Sequence, residues 1–267
     1  MKIKQSIAFP IFGTDKLPLG DLCRHATEIG YAAIEMWGRR GGGASGEEDF
    51  DEVVATAREH GLRMVSTCGH GTLQNGANNP ANHDRIVSEL RETIDLAAAN
   101  DVPNVIAFAG NRLDGQSDLE GMVECARVLR RVAPIAEEAG VNVNVELLNS
   151  RVNHPGYLCD HTDWGIALCE MVGSPRIKLL FDIYHMQIME GDVIRSLRRA
   201  LPHIGHFHTA GNPGRQDLDD TQELNYRGIC RAIAATDYDG YVGHEFVPAG
   251  DIVPALKHAF DVCNVGA

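Results

Sequence analysis

No stretch of this sequence stays apolar for anything near the roughly 20 residues that a membrane-spanning helix needs, so a bilayer span is not expected. A secretory leader is not expected either. In MKIKQSIAFP only about four apolar residues precede Pro10, too few for the apolar region of a signal peptide. Basic residues are scarce: 24 Lys and Arg face 37 Asp and Glu, for a net charge of −13, and they form no stripe. That balance argues against a nucleic-acid surface and is compatible with a divalent cation. No C-x-x-C pair occurs among the seven cysteines, an odd number, which reads as free thiols packed in the interior of a protein from a reducing cytoplasm. The G-x-G-x-x-G of a dinucleotide-binding fold is missing after the first strand candidate, where FPIFGTDKLP stands instead.

What is present is a regular alternation of short β-branched runs and longer amphipathic segments, the pattern of βαβ units around a parallel sheet. Eight strand candidates can be read: 3–9, 32–37, 62–68, 104–110, 141–147, 177–183, 204–210 and 241–247. Between them DEVVATAREHG, RIVSELRETIDLAAAND, MVECARVLRRVAPIAEEAG and VIRSLRRALPH repeat apolar residues at three- and four-residue spacing, the period of a helix with one buried face. Gly30, Gly61, Gly140 and Gly173 follow helical segments directly, where glycine supplies the left-handed stop. Eight such units without a compositional break predict an α/β fold, a single (β/α)8 TIM barrel over residues 1–267. The glycine-rich 38–49 then reads as a long loop after the second strand, and 71–84 as a loop of the kind that forms a lid or an oligomer contact.

Barrel active sites lie at the C-terminal ends of the strands, which turns positions in the chain into positions in space. Glu146, Asp182, His208 and Glu245 stand near the ends of the last four strand candidates at comparable depth. One such residue alone would be a cap or an ion-pair partner. Three carboxylates converging without a cation would repel, and one would have to take up a proton. With an imidazole they make a hard, mostly oxygen donor set suited to Mn²⁺, Mg²⁺ or Co²⁺.

Around this group, His185 falls three residues after Asp182, at the lip of the sixth strand, where a neutral imidazole can donate to a substrate oxygen; a loop histidine satisfied locally is the alternative. Arg215 closes GNPGR and is placed for a carboxylate or phosphate, or stands exposed in its loop. His206 lies one layer below His208 and reads as buried support. Glu35 and His70 end the second and third strands and are either substrate-binding or merely polar strand ends, and Trp37 is either a pocket wall or packing.

Taken together, VNVELLNSR, FDIYHMQIMEGD, IGHFHTAGNPGR, ELNY and GHEFVP resemble the sugar isomerase/epimerase family built on the xylose-isomerase-like barrel, and within it the hydroxypyruvate isomerases. The likeness is dense over 140–250 and rests on pattern alone before that. It implies that Glu146, Asp182, His208 and Glu245 are the metal ligands, that the reaction is enediolate proton transfer with Glu146 and Glu245 as catalytic groups, and that the substrate is a small hydroxy-carbonyl compound such as hydroxypyruvate. Histidine at 208 matches the ketose 3-epimerase pattern, whereas some hydroxypyruvate isomerases carry glutamine there, which makes a free-sugar epimerase the alternative. A metal-dependent endonuclease and a non-catalytic sugar-binding barrel are the remaining classes; the charge disfavours the first and the inward carboxylates the second. The expected partners are a small sugar or 2-oxo acid and, through exposed loops, a homodimer or homotetramer.

Overall fold

A computed structural model describes residues 3–12, 16–38, 49–71 and 73–266. The loop expected at 38–49 lies outside the described residues except for its two ends. The chain forms two compact units, one of residues 1–67 with 207–267 and the other of residues 68–206.

In the first unit β1 (Lys4–Ala8) lies between β2 (Ala33–Glu35) and β9 (Tyr241–His244), parallel to both. β3 (Arg63–Met64) flanks β2, and β8 (Ile204–Thr209) flanks β9. Helices α1 (Leu19–Ile29), α2 (Phe50–Glu59), α8 (Tyr226–Ala234) and α9 (Ile252–Cys263) alternate with these strands. Parallel register sets Ala33, Ser6, Gly243 and His208 abreast across β2, β1, β9 and β8.

In the second unit β5 (Asn104–Ala107), β6 (Asn142–Glu146) and β7 (Ile177–Asp182) pair in parallel. They alternate with α3 (His83–Ala99), α4 (Asp118–Ala139) and α5 (Thr162–Val172), and β7 leads through α6 (Ile183–Met189) and α7 (Val193–Ala200). The strands are almost wholly buried, as strands covered by helices must be. Strand order, parallel pairing and alternating helices are those of the (β/α)8 barrel class that the sequence predicts.

Two local differences have physical causes. The third strand candidate is broken at Val65 into β3 and β4 (Ser66–Cys68). Val65 N donates to Ile34 O and Met36 N to Ser66 O, whereas farther on Gly69 N donates to Ile106 O, so the segment changes hydrogen-bonding partner along its length. Helix α4 starts earlier than its apolar period suggests because Ser117 and Glu120 form a capping box, each side chain taking the other's backbone N–H. Gly30, Gly140 and Gly173 are left-handed helix caps as expected, while α2 is capped by His60 with Gly61 one residue beyond.

The 71–84 loop is tied down along the end of β5: Ala77 N donates to Phe108 O, Asn78 N to Ala109 O, and the Asn78 side chain to Asn111 O. The close approach needs glycine, since a Cβ at Gly76 would sit 2.3 Å from Gly110 N. Those bonds fix residues 76–78 against the end of β5. No disulfide links the cysteines; six are buried and Cys68 is half-buried, and burial pushes the Cys23 thiol up to about 11.

Candidate active site

In the first unit the expected ligand His208 is held between two carboxylates. Its Nε2 is 2.9 Å from Glu35 Oε2, and its Nδ1 is 3.1 Å from Glu245 Oε2, at ion-pair distance. Burial alone would push this imidazole down; the charges of Glu245 and Glu35 outweigh it and hold His208 well above its ordinary value. Arg215 completes the cluster by donating from Nη2 to Glu245 Oε2 at 2.6 Å. Its backbone is at φ 56°, a costly conformation for a side-chain-bearing residue, and it is pinned there by Val247 N donating to Arg215 O and Gly211 N donating to Gln216 O. Such strain is retained where the surroundings over-determine it.

On the opposite face of the strands, against Tyr31, sits His244, which sequence reasoning passed over. Gln5 Nε2 donates to Phe260 O, which leaves Gln5 Oε1 to accept from His244 Nε2 and Thr209 to donate to Nδ1. Burial drives this imidazole down to about 3, with the Glu35 carboxylate opposing the shift and His208 adding to it. It is therefore neutral in the folded protein and protonated in the unfolded chain below its ordinary value of 6.5. Stability is expected to be fully present above about pH 6.5 and to be lost as pH falls toward 3, at up to ~1.4 kcal/mol per pH unit for one proton. Urea titrations from pH 7 to 4 check this. H244Q should flatten the acid limb, and an unchanged slope would assign the loss to other groups.

In the second unit Asp182 ends β7 and is also the N-cap of α6, accepting from His185 N at 3.0 Å. That cap places His185 in the first turn of a helix, where the sequence had suggested the lip of a strand. Asn149 Oδ1 accepts from Val152 N and Asn153 N, which fixes its amide so that Nδ2 donates to His185 Nδ1 at 2.5 Å. The proton of His185 is then on Nε2, the nitrogen 3.7 Å from Asp182 Oδ2. Asn149 was missed because a buried asparagine after a strand has no sequence signature, though it lies inside the VNVELLNSR string. Glu146 ends β6 with its backbone carbonyl accepting from Tyr157, whose hydroxyl also takes Ala109 N.

Two residues expected near the substrate are already engaged in the protein. His70 Nε2 accepts from Phe108 N at 2.9 Å, which ties the ring to the end of β5. Glu35 is 1% exposed, accepts from Ser6 Oγ at 2.5 Å and faces His208 at 2.9 Å. His206 is fully buried, as a supporting residue would be, and Trp37 is half-buried.

The model for the xylose isomerase-like TIM barrel matches residues 23–262. The chain belongs to that family. Among its curated relatives, 2-oxo-tetronate isomerase of Pectobacterium atrosepticum is 27% identical over 248 residues, covering 91% of this chain and 92% of that one. Hydroxypyruvate isomerase of Escherichia coli is 36% identical over 108 residues, 39% of this chain and 42% of that one. The solved structure of an L-ribulose 3-epimerase aligns with a TM-score of 0.80 at 22% identity, over 97% of this chain and 92% of that chain, a likeness of fold. The curated relatives place this family member among the isomerases. No helix among its described residues is long and apolar enough to cross a membrane.

The family implies a divalent cation, and the donor chemistry fits one. Glu146, Asp182, His208 and Glu245 are at most 6% exposed, and carboxylates so buried need a counter-charge. Arg215 supplies one positive group, to Glu245. Oxygen-rich donors with a single imidazole suit a hard ion.

Proposed function

We propose that the chain, acting as one barrel domain, is a divalent-metal-dependent isomerase of short 3-hydroxy-2-oxo acids, of which hydroxypyruvate, giving tartronate semialdehyde, is the leading candidate. Glu146, Asp182, His208 and Glu245 would hold the cation, Mn²⁺, Mg²⁺ or Co²⁺; each offers one ligand atom. The cation would supply Lewis-acid polarisation of the hydroxy-carbonyl group. The observation that carries the acid specificity is the strained Arg215 set against Glu245 at 2.6 Å: a guanidinium beside the proposed base is suited to a substrate carboxylate.

In this reading Glu245 and Glu146 work at the carbon skeleton. One takes the proton from C3 of the hydroxymethyl carbon, and a proton is returned to C2, while the hydroxyl proton passes from O3 to O2, so substrate and product are isomers. His185, protonated on Nε2 through Asn149, is the group for the oxygen proton. Arg215 fixes the carboxylate, and His70 is assigned to the pocket wall.

A ketose 3-epimerase is the second reading, favoured by histidine at 208. The two separate in D₂O: Mn²⁺-loaded protein is incubated with hydroxypyruvate, with a 2-oxo-tetronate and with free ketoses, and deuterium at each carbon is followed by NMR. Exchange at C2 and C3 of the 2-oxo acids is expected, with formation of the aldehyde from hydroxypyruvate and of the 3-oxo acid from the 2-oxo-tetronate. Exchange confined to C3 of ketoses would replace the proposal by the epimerase, and no exchange with any of them would remove both.

A further inference from the structure

We propose that Glu35 is a positioning residue for His208, and that Ser6, Gly243 and Glu35 form a built cradle for that one imidazole. The proposal rests on His208 being a cation ligand, the role proposed for it in the isomerase.

Strand register carries the first step. Ser6, Gly243 and His208 are neighbours across β1, β9 and β8, while Glu35 stands on β2 beyond β1, paired with Ala8. For Glu35 to meet His208 its side chain must cross the lane in front of position 243. Only glycine leaves that lane open: a Cβ at Gly243 would lie 2.2 Å from Glu35 Oε1 and 2.9 Å from His208 Cδ2. The first distance is far inside any van der Waals contact, so the missing side chain is what admits the carboxylate.

The second step is the division of labour between the carboxylate oxygens. Oε1 accepts from Ser6 Oγ at 2.5 Å, which fixes the carboxylate plane, and Oε2 faces His208 Nε2 at 2.9 Å. A carboxylate bonded to one ring nitrogen keeps the proton there, sets the rotation of the ring and leaves the other nitrogen for a cation. That other nitrogen, Nδ1, is the one on the side of Glu245. Glu35 is buried, Ser6 is fully buried, and neither touches solvent that would otherwise hydrate the pair. Burying a carboxylate is costly, and the His208 imidazole helps to offset that cost.

Mn²⁺ titration of the metal-free full-length protein by calorimetry tests the arrangement, paired with NMR of imidazole protons assigned through H208Q. Wild type should show a slowly exchanging, downfield Nε2 proton for His208. E35A should lose that resonance and bind Mn²⁺ about 10- to 100-fold more weakly. E35Q, whose amide oxygen can still accept from Nε2, should recover part of both. S6A, a smaller change that leaves the glutamate in place, should move both readouts in the same direction by less and serves if E35A does not fold. Unchanged Mn²⁺ affinity and an unchanged Nε2 resonance in E35A or S6A would overturn the proposal. If wild type binds no Mn²⁺, the cation reading falls by itself. Glu35 is then judged on the resonance alone, whose persistence in the variants refutes it.

Discussion

E245Q is expected to slow 2-oxo acid isomerisation by about 10²- to 10⁴-fold, the range that removal of a general base costs. The substitution keeps size and shape, so its effect isolates charge and basicity. Glu245 Oε2 meets both Arg215 and His208 Nδ1, and a neutral amide there weakens the guanidinium's hold and removes a ligand for the cation. Both kcat and the cation affinity should therefore fall, while R215K, which keeps a charge but not the planar fork, should raise KM for a carboxylate substrate more than it lowers kcat. Deuterium exchange at C3 in D₂O is the direct readout. A normal exchange rate in E245Q would take Glu245 out of the mechanism.

Chelating the cation is expected to give the fold a stability that falls with rising pH above about 6.5. Without the ion, His208 lies between the charges of Glu245 and Glu35, which hold its proton well above the ordinary value of 6.5 against the effect of burial. A raised folded-state value means that this contribution is fully present below about pH 6.5 and is lost as pH rises through the folded-state value. Each pH unit in that window is worth up to ~1.4 kcal/mol for one proton. His244 has the opposite sign, depressed to about 3, so the metal-free protein should be most stable near pH 6.5, with an acid limb due to His244 and an alkaline limb due to His208. Mn²⁺ should flatten the alkaline limb and release protons on binding, since the ion replaces the imidazolium charge. Urea unfolding of chelated and Mn²⁺-loaded protein from pH 5 to 9 measures this; parallel curves would show that no cation couples to His208.

The alternation of β-branched and amphipathic runs was enough to place all eight strand regions, because the period of burial is written into neighbouring residues. Helix-stopping glycines and the strand-end positions of Glu146, Asp182 and His208 followed from the same local rules, and burial of all three agrees with an interior role. The break at Val65 was invisible, since it depends on which strand each amide meets, and so was the early start of α4, where the Ser117 and Glu120 cap was simply passed over.

The site divides in the same way. Residue types and spacing along the chain nominate donors, because carboxylates and imidazoles at strand ends are rare and conspicuous. What each donor faces is decided by partners far away in sequence: Glu35 is 173 residues from His208, Gln5 is 239 from His244, and Asn149 is 36 from His185. At a strand end Glu35 reads as either substrate-binding or merely polar, and its contacts with Ser6 and His208 appear only in the fold. Gly243, unremarkable within YVGHEFV, matters only because strand register sets its missing side chain between the two. Chemistry of the side chains is a property of the sequence; which nitrogen carries a proton, and which carboxylate supports and which reacts, is a property of packing, since only packing brings those atoms within bonding distance.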